Sequence, residues 1–369
     1  MSEILLSQLA HVELLSPKPD ETVKWMKEVF GLEETTREGQ SVYLRGWAEW
    51  LHSSLIVTEA AEPGVGRIGW RAYGPKDPET IAQRLADTEE AVGWVDDWTG
   101  HGATYQYRAP QGRHLHEVFW EVDRYEAPED KKEPYIKNRP QRFSGKGIGP
   151  RYLDHVTIPT QNIRADIDFY KRLGSRHTAQ TEVEPGFSVF STLTCNGIRS
   201  THDLALVPDF SGMTARAHHI AFRVDQRIDV ERAAEQFMAH DTDIEFGPGI
   251  HGIDEITYLY VREPGGFRME INAGGWVNTM PDWETTTYHS EGGNPGQSIY
   301  RNVDAPEGFH DAWPLPPEEA AKKELNAVGS DELRSFYGNT AGTQKGRPPA
   351  FDSETSRSRA AGQTRHRTE

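Results

Sequence analysis

Apolar and polar residues alternate in several short stretches of the chain, a period typical of half-buried β-strands. The clearest examples are Leu-Asp-His-Val-Thr-Ile around His155, His-His-Ile-Ala-Phe around His219 and Phe-Arg-Met-Glu-Ile-Asn around Glu270. Other stretches show helical spacing, and clusters of Gly, Pro and Asp separate the strands. The pattern predicts a repeated order of one strand, one helix and several further strands.

The first half of the chain resembles the second half. His11 opens a strand followed by a helix that ends at Gly31, and His155 opens a strand followed by a helix that ends at Gly174. Both helices carry apolar residues at i and i+4, and glycine is a common helix terminator. Matching motifs continue in the same order downstream, which indicates an internal duplication.

The duplication predicts an α+β fold with two domains. Each domain should contain two βαβββ modules whose sheet curls into an open, barrel-like cup. The expected parts are an N-terminal domain without metal (residues 1–126), a linker (127–150), a C-terminal metal-binding domain (151–275), a loop-rich aromatic extension (276–341) and a disordered tail (342–369).

Composition narrows the class of protein. A chain of 369 residues is long enough for two domains, and its mean hydropathy of −0.70 and lack of long apolar runs predict no membrane segment. A net charge of −17 argues against nucleic acid as a partner. With 15 histidines, a single cysteine (Cys195) and no signal peptide pattern, we expect imidazole and carboxylate chemistry in the reducing cytoplasm.

The candidate metal ligands are His155, His219 and Glu270. Two neutral imidazoles and one carboxylate can bind one face of an octahedral ion and leave three adjacent positions for an organic substrate and O2, as in non-haem Fe(II) oxygenases. An isolated histidine in a strand is more often an ordinary core or surface residue. The hypothesis therefore depends on the three strands meeting at one point.

The duplication also tests the hypothesis. In the first half, His11, Trp70 and His116 match the three candidate ligands in the sequence alignment of the two halves. The indole of Trp70 has an N–H donor but no lone pair for a metal. We therefore expect only the second half to bind metal.

With these residues and further motifs in order, the chain resembles the type I extradiol ring-cleaving dioxygenases of the vicinal oxygen chelate superfamily. It is similar to the catechol 2,3-dioxygenases and the homoprotocatechuate 2,3-dioxygenases over roughly residues 5–275, and more loosely to about residue 315. The motifs are Leu-Asp-His155, His218-His219, Gly-Pro-Gly-Ile-His251-Gly, Tyr258-Leu259-Tyr260 and Glu-Pro-Gly-Gly-Phe-Arg-Met-Glu270.

The resemblance implies the vicinal oxygen chelate fold, with one Fe(II), or Mn(II) as the alternative, bound by the three candidate ligands. It implies a catechol that is cleaved by O2 next to the diol to give a muconate-type semialdehyde, and a homo-oligomer with a tetramer favoured. Glyoxalase-type isomerases and hydroxyphenylpyruvate-type dioxygenases share the modules and are alternatives. A ligand-sequestering module is a third interpretation.

The resemblance also implies three catalytic residues. His202 matches an acid/base histidine that lies near the metal without binding it, and His251 would hydrogen-bond a phenolic oxygen of the substrate. Tyr260 would point its hydroxyl to the metal side and stabilise an intermediate of ring cleavage. Each residue has a structural alternative: a turn histidine, an exposed loop histidine and a core tyrosine.

His218 precedes the candidate ligand His219. Adjacent residues of a strand face opposite sides of the sheet. We therefore expect His218 to point away from the metal.

The chain departs from its relatives where they bind a substrate carboxylate. Phe246 occupies a position at which such relatives have an arginine, and residues 288–291 (Tyr-His-Ser-Glu) replace basic residues further along. These differences favour a neutral or alkyl-substituted catechol.

Overall fold

The alternating segments form two mixed β-sheets in the computed structural model, one from each half of the chain. The structure describes residues 3–96, 98–195, 202–277, 280, 282–289 and 305–321. The predicted tail (342–369) and much of the predicted extension (276–341) lie outside these residues.

The first sheet has eight strands in the order β2-β3-β4-β1-β5-β8-β7-β6. Its strands are β1 (Leu6–Ser16), β2 (Glu33–Glu38), β3 (Ser41–Arg45), β4 (Leu55–Glu59), β5 (Gly64–Ala72), β6 (Ala91–Val95), β7 (Thr104–Arg108) and β8 (Leu115–Phe119). Its helices are α1 (Pro19–Trp25), which continues into a π-helical turn (Met26–Phe30), and α2 (Asp77–Leu85).

The second sheet has nine strands in the order β14-β15-β16-β13-β9-β12-β11-β10-β17. Its strands are β9 (Tyr152–Thr160), β10 (Arg176–Glu184), β11 (Phe187–Thr194), β12 (Leu204–Pro208), β13 (His219–Arg223), β14 (Ile244–Ile250), β15 (Ile256–Arg262), β16 (Arg268–Gly274) and β17 (Thr286–His289). Its helices are α3 (Ile163–Arg172) and α4 (Arg227–Ala239). The edge strand β17 was not predicted from the sequence.

Each sheet consists of two βαβββ modules. The first strand of every module pairs in parallel with the last strand of the same module, as β1 does with β4 and β9 with β12. The two modules of a sheet join through their first strands, which run antiparallel: β1 with β5, and β9 with β13. The predicted α+β fold with paired modules is confirmed.

The helices end where the sequence predicts. Gly31 and Gly174 follow the first helix of each half and have positive φ angles of 92° and 99°, a conformation that glycine adopts without steric cost. The longest helix, α4, has 13 residues. Among the described residues, no helix is long and apolar enough to cross a membrane.

The two halves share a buried core. The Trp25 ring stacks on Phe237 at 5.7 Å, and Phe30 meets Phe222 edge-on at 5.6 Å, so aromatic residues of the first half pack directly against the second half. Residues 1–315 accordingly form one compact unit. The domain boundaries that we place within this unit from the sequence stay a prediction.

The second sheet aligns the candidate ligands by strand register. His155 on β9 pairs with Ala221 on β13, and Ala221 pairs in turn with Glu270 on β16. His219 lies two residues before Ala221, so its side chain shares the same face of the sheet. The three predicted ligands therefore lie on one face of three adjacent strands.

The first sheet repeats this register with different residues. His11 on β1 pairs with Gly69 on β5, and Gly69 pairs with Glu117 on β8. Arg67 lies two residues before Gly69, in the place that His219 has in the second sheet. The structural counterparts of the three candidate ligands are therefore His11, Arg67 and Glu117.

The predicted counterparts Trp70 and His116 are wrong. Trp70 lies three residues after Arg67, and His116 lies one residue before Glu117. Both side chains belong to the buried core, where the Trp70 Nε1–H donates to His116 Nδ1 at 3.0 Å. A shift of one residue moves a side chain to the opposite face of a strand. The conclusion that this position has no lone pair for a metal still holds, because the guanidinium of Arg67 has none.

Candidate metal centre

Three donor atoms converge where β9, β13 and β16 lie side by side. His155 Nε2 and His219 Nε2 are 3.0 Å apart, and Glu270 Oε2 lies 3.0 Å from His219 Nε2 and 3.3 Å from His155 Nε2. All three side chains are buried. The strands that we expect from the sequence to meet do meet, and the three predicted ligands form one cluster.

The donor triangle has the size that a metal ion requires. For a divalent ion bound at about 2.1 Å, adjacent octahedral donors lie about 3.0 Å apart. Within the described residues, both oxygens of the Glu270 carboxylate lack a well-formed hydrogen bond although the side chain is 1% exposed. Buried lone pairs without a donor are costly, so the site suits a cation coordinated by two nitrogens and one oxygen.

The pKa shifts of the three side chains also indicate that the cluster is stabilised by a positive charge. Burial alone would lower the pKa of His155, but Glu270 and the neighbouring Asp154 raise it to about 10. Burial lowers the pKa of His219 to about 4, against the opposing effect of Glu270. Desolvation would raise the pKa of Glu270, yet the two imidazoles hold it well below its usual value. A metal ion would supply this charge in place of a proton.

Asp154 fixes the orientation of the His155 ring. The His155 Nδ1–H donates to Asp154 Oδ2 at 2.9 Å, which leaves Nε2 with its lone pair toward the other two ligands. Asn272 Nδ2 donates to the same carboxylate at 3.0 Å, and Arg223 Nη1 lies 3.4 Å from its other oxygen. Such carboxylate–histidine pairs orient metal ligands and make the imidazole more basic.

Sequence reasoning missed the role of Asp154 because neighbouring strand residues usually face opposite sides. In β9, His155 pairs with Ala221 while Leu153 already pairs with Phe222, so Asp154 is the extra residue of a β-bulge. A bulge redirects one side chain of the strand. The motif Leu-Asp-His was the only sequence signal that could have suggested this contact.

His218 lies against the ligand His219, so the prediction that it points away is wrong. It precedes the first residue of β13 and does not follow the alternation of the strand. The His218 Nε2–H donates to the backbone carbonyl of Phe309 at 2.7 Å, and His218 Nδ1 then accepts from the His219 Nδ1–H at 2.6 Å. This relay leaves His219 Nε2 as a lone pair for the metal.

The structure places His202 beside the ligands. Its ring centroid is 4.2 Å from that of His155, and the side chain is buried. Burial, together with the charge on His155, holds the pKa of His202 well below its usual value. Asp254 Oδ2 lies 3.7 Å from His202 Nδ1, a contact that we did not predict from the sequence.

His251 and Tyr260 form a hydrogen-bonded pair near the ligand His219. The Tyr260 hydroxyl is 3.0 Å from His251 Nε2, and the Tyr260 ring lies 5.2 Å from the ring of His219. Burial and the nearby Glu270 raise the pKa of Tyr260 well above its usual value, so the phenol stays protonated. His202 and Tyr260 therefore lie next to the candidate ligands and His251 lies next to Tyr260, while the catalytic roles of all three stay predictions.

An aromatic cluster adjoins this pair. Phe246, Tyr258, Tyr260 and Phe309 form a buried group separate from the main core. The Phe309 ring lies 4.9 Å from both Phe246 and Tyr260. The surroundings of Tyr260 on this side are apolar and aromatic.

The basic residues near this cluster are engaged in internal contacts. Glu245 pairs with Arg268 through two contacts of 2.7 Å and also with Arg262. Arg268 is fully buried and hydrogen-bonds the carbonyls of Asp311 at 3.1 Å and Gly308 at 3.2 Å. Both guanidiniums are therefore committed to internal contacts.

Several known proteins are similar to this chain in sequence. The profile of the Glyoxalase/Bleomycin resistance protein/Dioxygenase superfamily matches residues 152–271, which contain all three candidate ligands. Metapyrocatechase of Geobacillus stearothermophilus is 34% identical over 324 residues, 87% of this chain and 96% of that protein. The manganese-dependent 2,3-dihydroxybiphenyl 1,2-dioxygenase of Geobacillus genomosp. 3 is 34% identical over 284 residues, 76% of this chain and 89% of that protein.

A solved structure shows the same fold. The anaerobic substrate complex of homoprotocatechuate 2,3-dioxygenase from Brevibacterium fuscum, which contains 3,4-dihydroxyphenylacetate, superposes with a TM-score of 0.71. The match covers 83% of this chain and 92% of that chain at 22% sequence identity. At this identity the likeness concerns the fold alone.

Proposed function

The chain belongs to the extradiol dioxygenases of the Glyoxalase/Bleomycin resistance protein/Dioxygenase superfamily, and we propose that it opens the ring of a neutral catechol with Fe(II) and O2. The bond broken lies next to the diol, and both oxygen atoms of O2 enter the product, a muconate-type semialdehyde. The observation that carries the proposal is the buried triangle of His155 Nε2, His219 Nε2 and Glu270 Oε2 with edges of 3.0 to 3.3 Å.

Residues His155, His219 and Glu270 would hold the metal. When bound, Fe(II) would bring the two catechol oxygens and O2 together at its three remaining positions. Mn(II) is the alternative, since one relative is named manganese-dependent and the same donors suit both ions.

The side chains of His202, His251 and Tyr260 would supply the hydrogen bonds and proton transfers of the reaction. His251 would donate a hydrogen bond to a phenolic oxygen of the substrate and so favour its deprotonated form. Tyr260, hydrogen-bonded to His251 at 3.0 Å, would donate its O–H toward the reacting oxygens. His202, whose ring packs against His155, would take up a proton as the substrate binds and would then donate a hydrogen bond on the O2 side.

The aromatic cluster supports a neutral substrate. Phe246 offers no charge for a carboxylate, and Arg262 and Arg268 are both engaged by Glu245. Residues 288 and 289 form part of β17, while Ser290 and Glu291 lie outside the described residues. We expect catechol, 3-methylcatechol and 4-methylcatechol to be turned over with a kcat/KM at least about tenfold above that for protocatechuate, because an unpaired carboxylate is costly to bury. Efficient turnover of protocatechuate would contradict this substrate class.

The metal assignment has a direct test. Purified protein should contain one iron or manganese per chain and give a yellow product with catechol under air. His219→Ala should lose both the metal and the product, because the triangle loses one corner. A ligand-sequestering module, in contrast, would bind catechol equally well after that substitution and form no product.

We further propose that the protein is a cytoplasmic homo-oligomer, with a tetramer favoured. Its single cysteine is buried and cannot form a disulfide within the chain, and exposed large side chains such as Trp50, Tyr73 and Trp94 are available for subunit contacts. Light scattering after size-exclusion chromatography should give four times the chain mass. A monomer would contradict the proposal.

A further inference from the structure

The N-terminal site, defined as His11, Arg67 and Glu117, has the strand register of the metal centre and differs from it in one residue type. His11 replaces His155 and Glu117 replaces Glu270 at equivalent positions. Only the second imidazole of the metal centre is exchanged, for the guanidinium of Arg67. Two thirds of a ligand set are therefore kept in a half of the chain to which no metal has been assigned.

The Arg67 guanidinium is enclosed by groups that attract a cation. Its Nε lies 3.3 Å from Glu117 Oε1 and 3.8 Å from Glu13 Oε2, and its plane covers the ring of Trp98 at 3.9 Å from the centroid. The side chain of Arg67 is 10% exposed and that of Glu117 is fully buried. A guanidinium is always protonated and lacks a lone pair, so Arg67 supplies a permanent positive charge at this point.

The replacement of His219 by Arg67 is accompanied by a second replacement on the neighbouring strand, of Thr157 by Glu13. The contact partner of His219 is Thr157, two residues after His155, with Thr157 Oγ1 3.1 Å from His219 Nε2. In the first half the residue two after His11 is Glu13, and it is the contact partner of Arg67. A neutral pair in one half thus corresponds to an ion pair in the other.

The remaining contacts of the N-terminal site use up the lone pairs of Glu117. His11 Nε2 lies 2.6 Å from Glu117 Oε1, and Gln106 Nε2 donates to Oε2 at 3.2 Å. The close approach of His11 depends on Gly69, where a Cβ would lie 2.3 Å from the imidazole. In the N-terminal site His11 thus contacts Glu117 directly, and Arg67 lies against the same carboxylate oxygen, where His155 and Glu270 leave room for a metal.

His101 is a further donor near this site, with Nε2 3.7 Å from Glu117 Oε1. The three residues His11, His101 and Glu117 could by composition hold an ion. The fixed charge of Arg67 on the same carboxylate oxygen opposes a second cation there, because like charges at this distance in a buried site repel strongly.

We propose that Arg67 is the resident cation of the N-terminal site, that it stands in for the metal of the other half, and that the site is a latent second metal centre. The wild-type chain then binds one metal, at His155, His219 and Glu270. Exchanging the ion pair for the neutral pair of the metal centre, in the double variant Glu13→Thr/Arg67→His, creates a second site. This inference rests on metal binding in the second half and is independent of ring cleavage.

The test is the number of Co(II) ions bound per full-length chain, measured by elemental analysis after desalting and by the visible absorption of Co(II). We expect one ion in the wild type and two in the double variant. Adding Glu117→Gln to the double variant should return the number to one. When both proteins also carry His219→Ala, we expect no bound ion in the chain with the wild-type N-terminal site and one bound ion in the chain with the double variant.

Two ions in the wild type, or one ion that survives His219→Ala and is lost with His11→Ala, would overturn the proposal, because His11, His101 and Glu117 would then bind metal beside Arg67. A folded double variant with a single ion overturns the latent site. If the double variant does not fold, the variants Arg67→Lys and Arg67→Met test whether the site needs a cation. The lysine variant should keep the wild-type Tm, and the Tm of the methionine variant should fall by about 5 °C or more. An unchanged Tm in Arg67→Met contradicts a resident cation.

Discussion

Glu270 and Glu117 occupy the same place in two sheets of one topology, and both are buried, yet their hydrogen bonds differ. Glu117 receives His11 at 2.6 Å and Gln106 at 3.2 Å, whereas neither oxygen of Glu270 has a well-formed hydrogen bond within the described residues. Histidine and glutamate in the right register are therefore common to a metal centre and to an ordinary buried ion pair. What separates the two is whether the carboxylate has lone pairs left over.

The largest effect should come from the matched substitutions Glu270→Gln and Glu117→Gln. The amide at position 270 removes the charge that holds the metal, so we expect loss of bound metal and a decrease in kcat of about a thousandfold or more. The amide at position 117 should leave the metal content unchanged. Elemental analysis and oxygen consumption with catechol measure both effects, and equal metal loss in the two variants would refute the contrast between the glutamates.

A smaller effect should follow from Asp154→Asn. The counterpart of Asp154 in the first half is Ala10, so only the metal centre has a carboxylate behind its first histidine. The amide weakens the orientation of His155, and we expect metal affinity to fall by about 10- to 100-fold. Competition with a chelator gives the affinity; a change of less than twofold would show that Asp154 does not support the ligand.

A third effect, on stability alone, concerns the buried imidazoles of the first half, which serve as neutral core groups. Burial lowers the pKa of His114 to about 4, although the Arg216 carbonyl and Asp209 oppose the shift. The unfolded chain therefore takes up this proton first, so the stability contributed by neutral His114 is complete above about pH 6.5 and falls as the pH drops toward 4, by up to about 3 kcal/mol.

His114→Gln keeps a donor for the Arg216 carbonyl and cannot take up a proton in this range. Urea unfolding between pH 7 and 4 should therefore show a weaker loss of stability in this variant than in the wild type. His240→Gln, a change at an exposed position, is the control and should follow the wild type. Parallel curves for all three proteins would mean that His114 does not contribute to acid sensitivity.

Local signals explain what could be predicted from the sequence. The alternation around His155, His219 and Glu270 identified strands, and Gly31 and Gly174 marked helix ends, because these properties depend on neighbouring residues. The paired modules followed from the repeated order of such signals.

Register and long-range contacts explain what could not be predicted. His11 was assigned correctly, but Trp70 and His116 were not, because a strand slip of one residue leaves the alternation intact while it reverses the face. Asp154 depends on a β-bulge, and the acceptor for His218 is a carbonyl about ninety residues downstream. No local pattern reports either contact.

The carbonyl of Phe309 that ends the His218–His219 relay belongs to the backbone. Any amino acid at position 309 would present the same acceptor, whereas the side chain at that position shapes the aromatic group around Tyr260. A substitution at this residue can therefore change the aromatic surroundings of Tyr260 while the carbonyl that orients the metal ligand is kept.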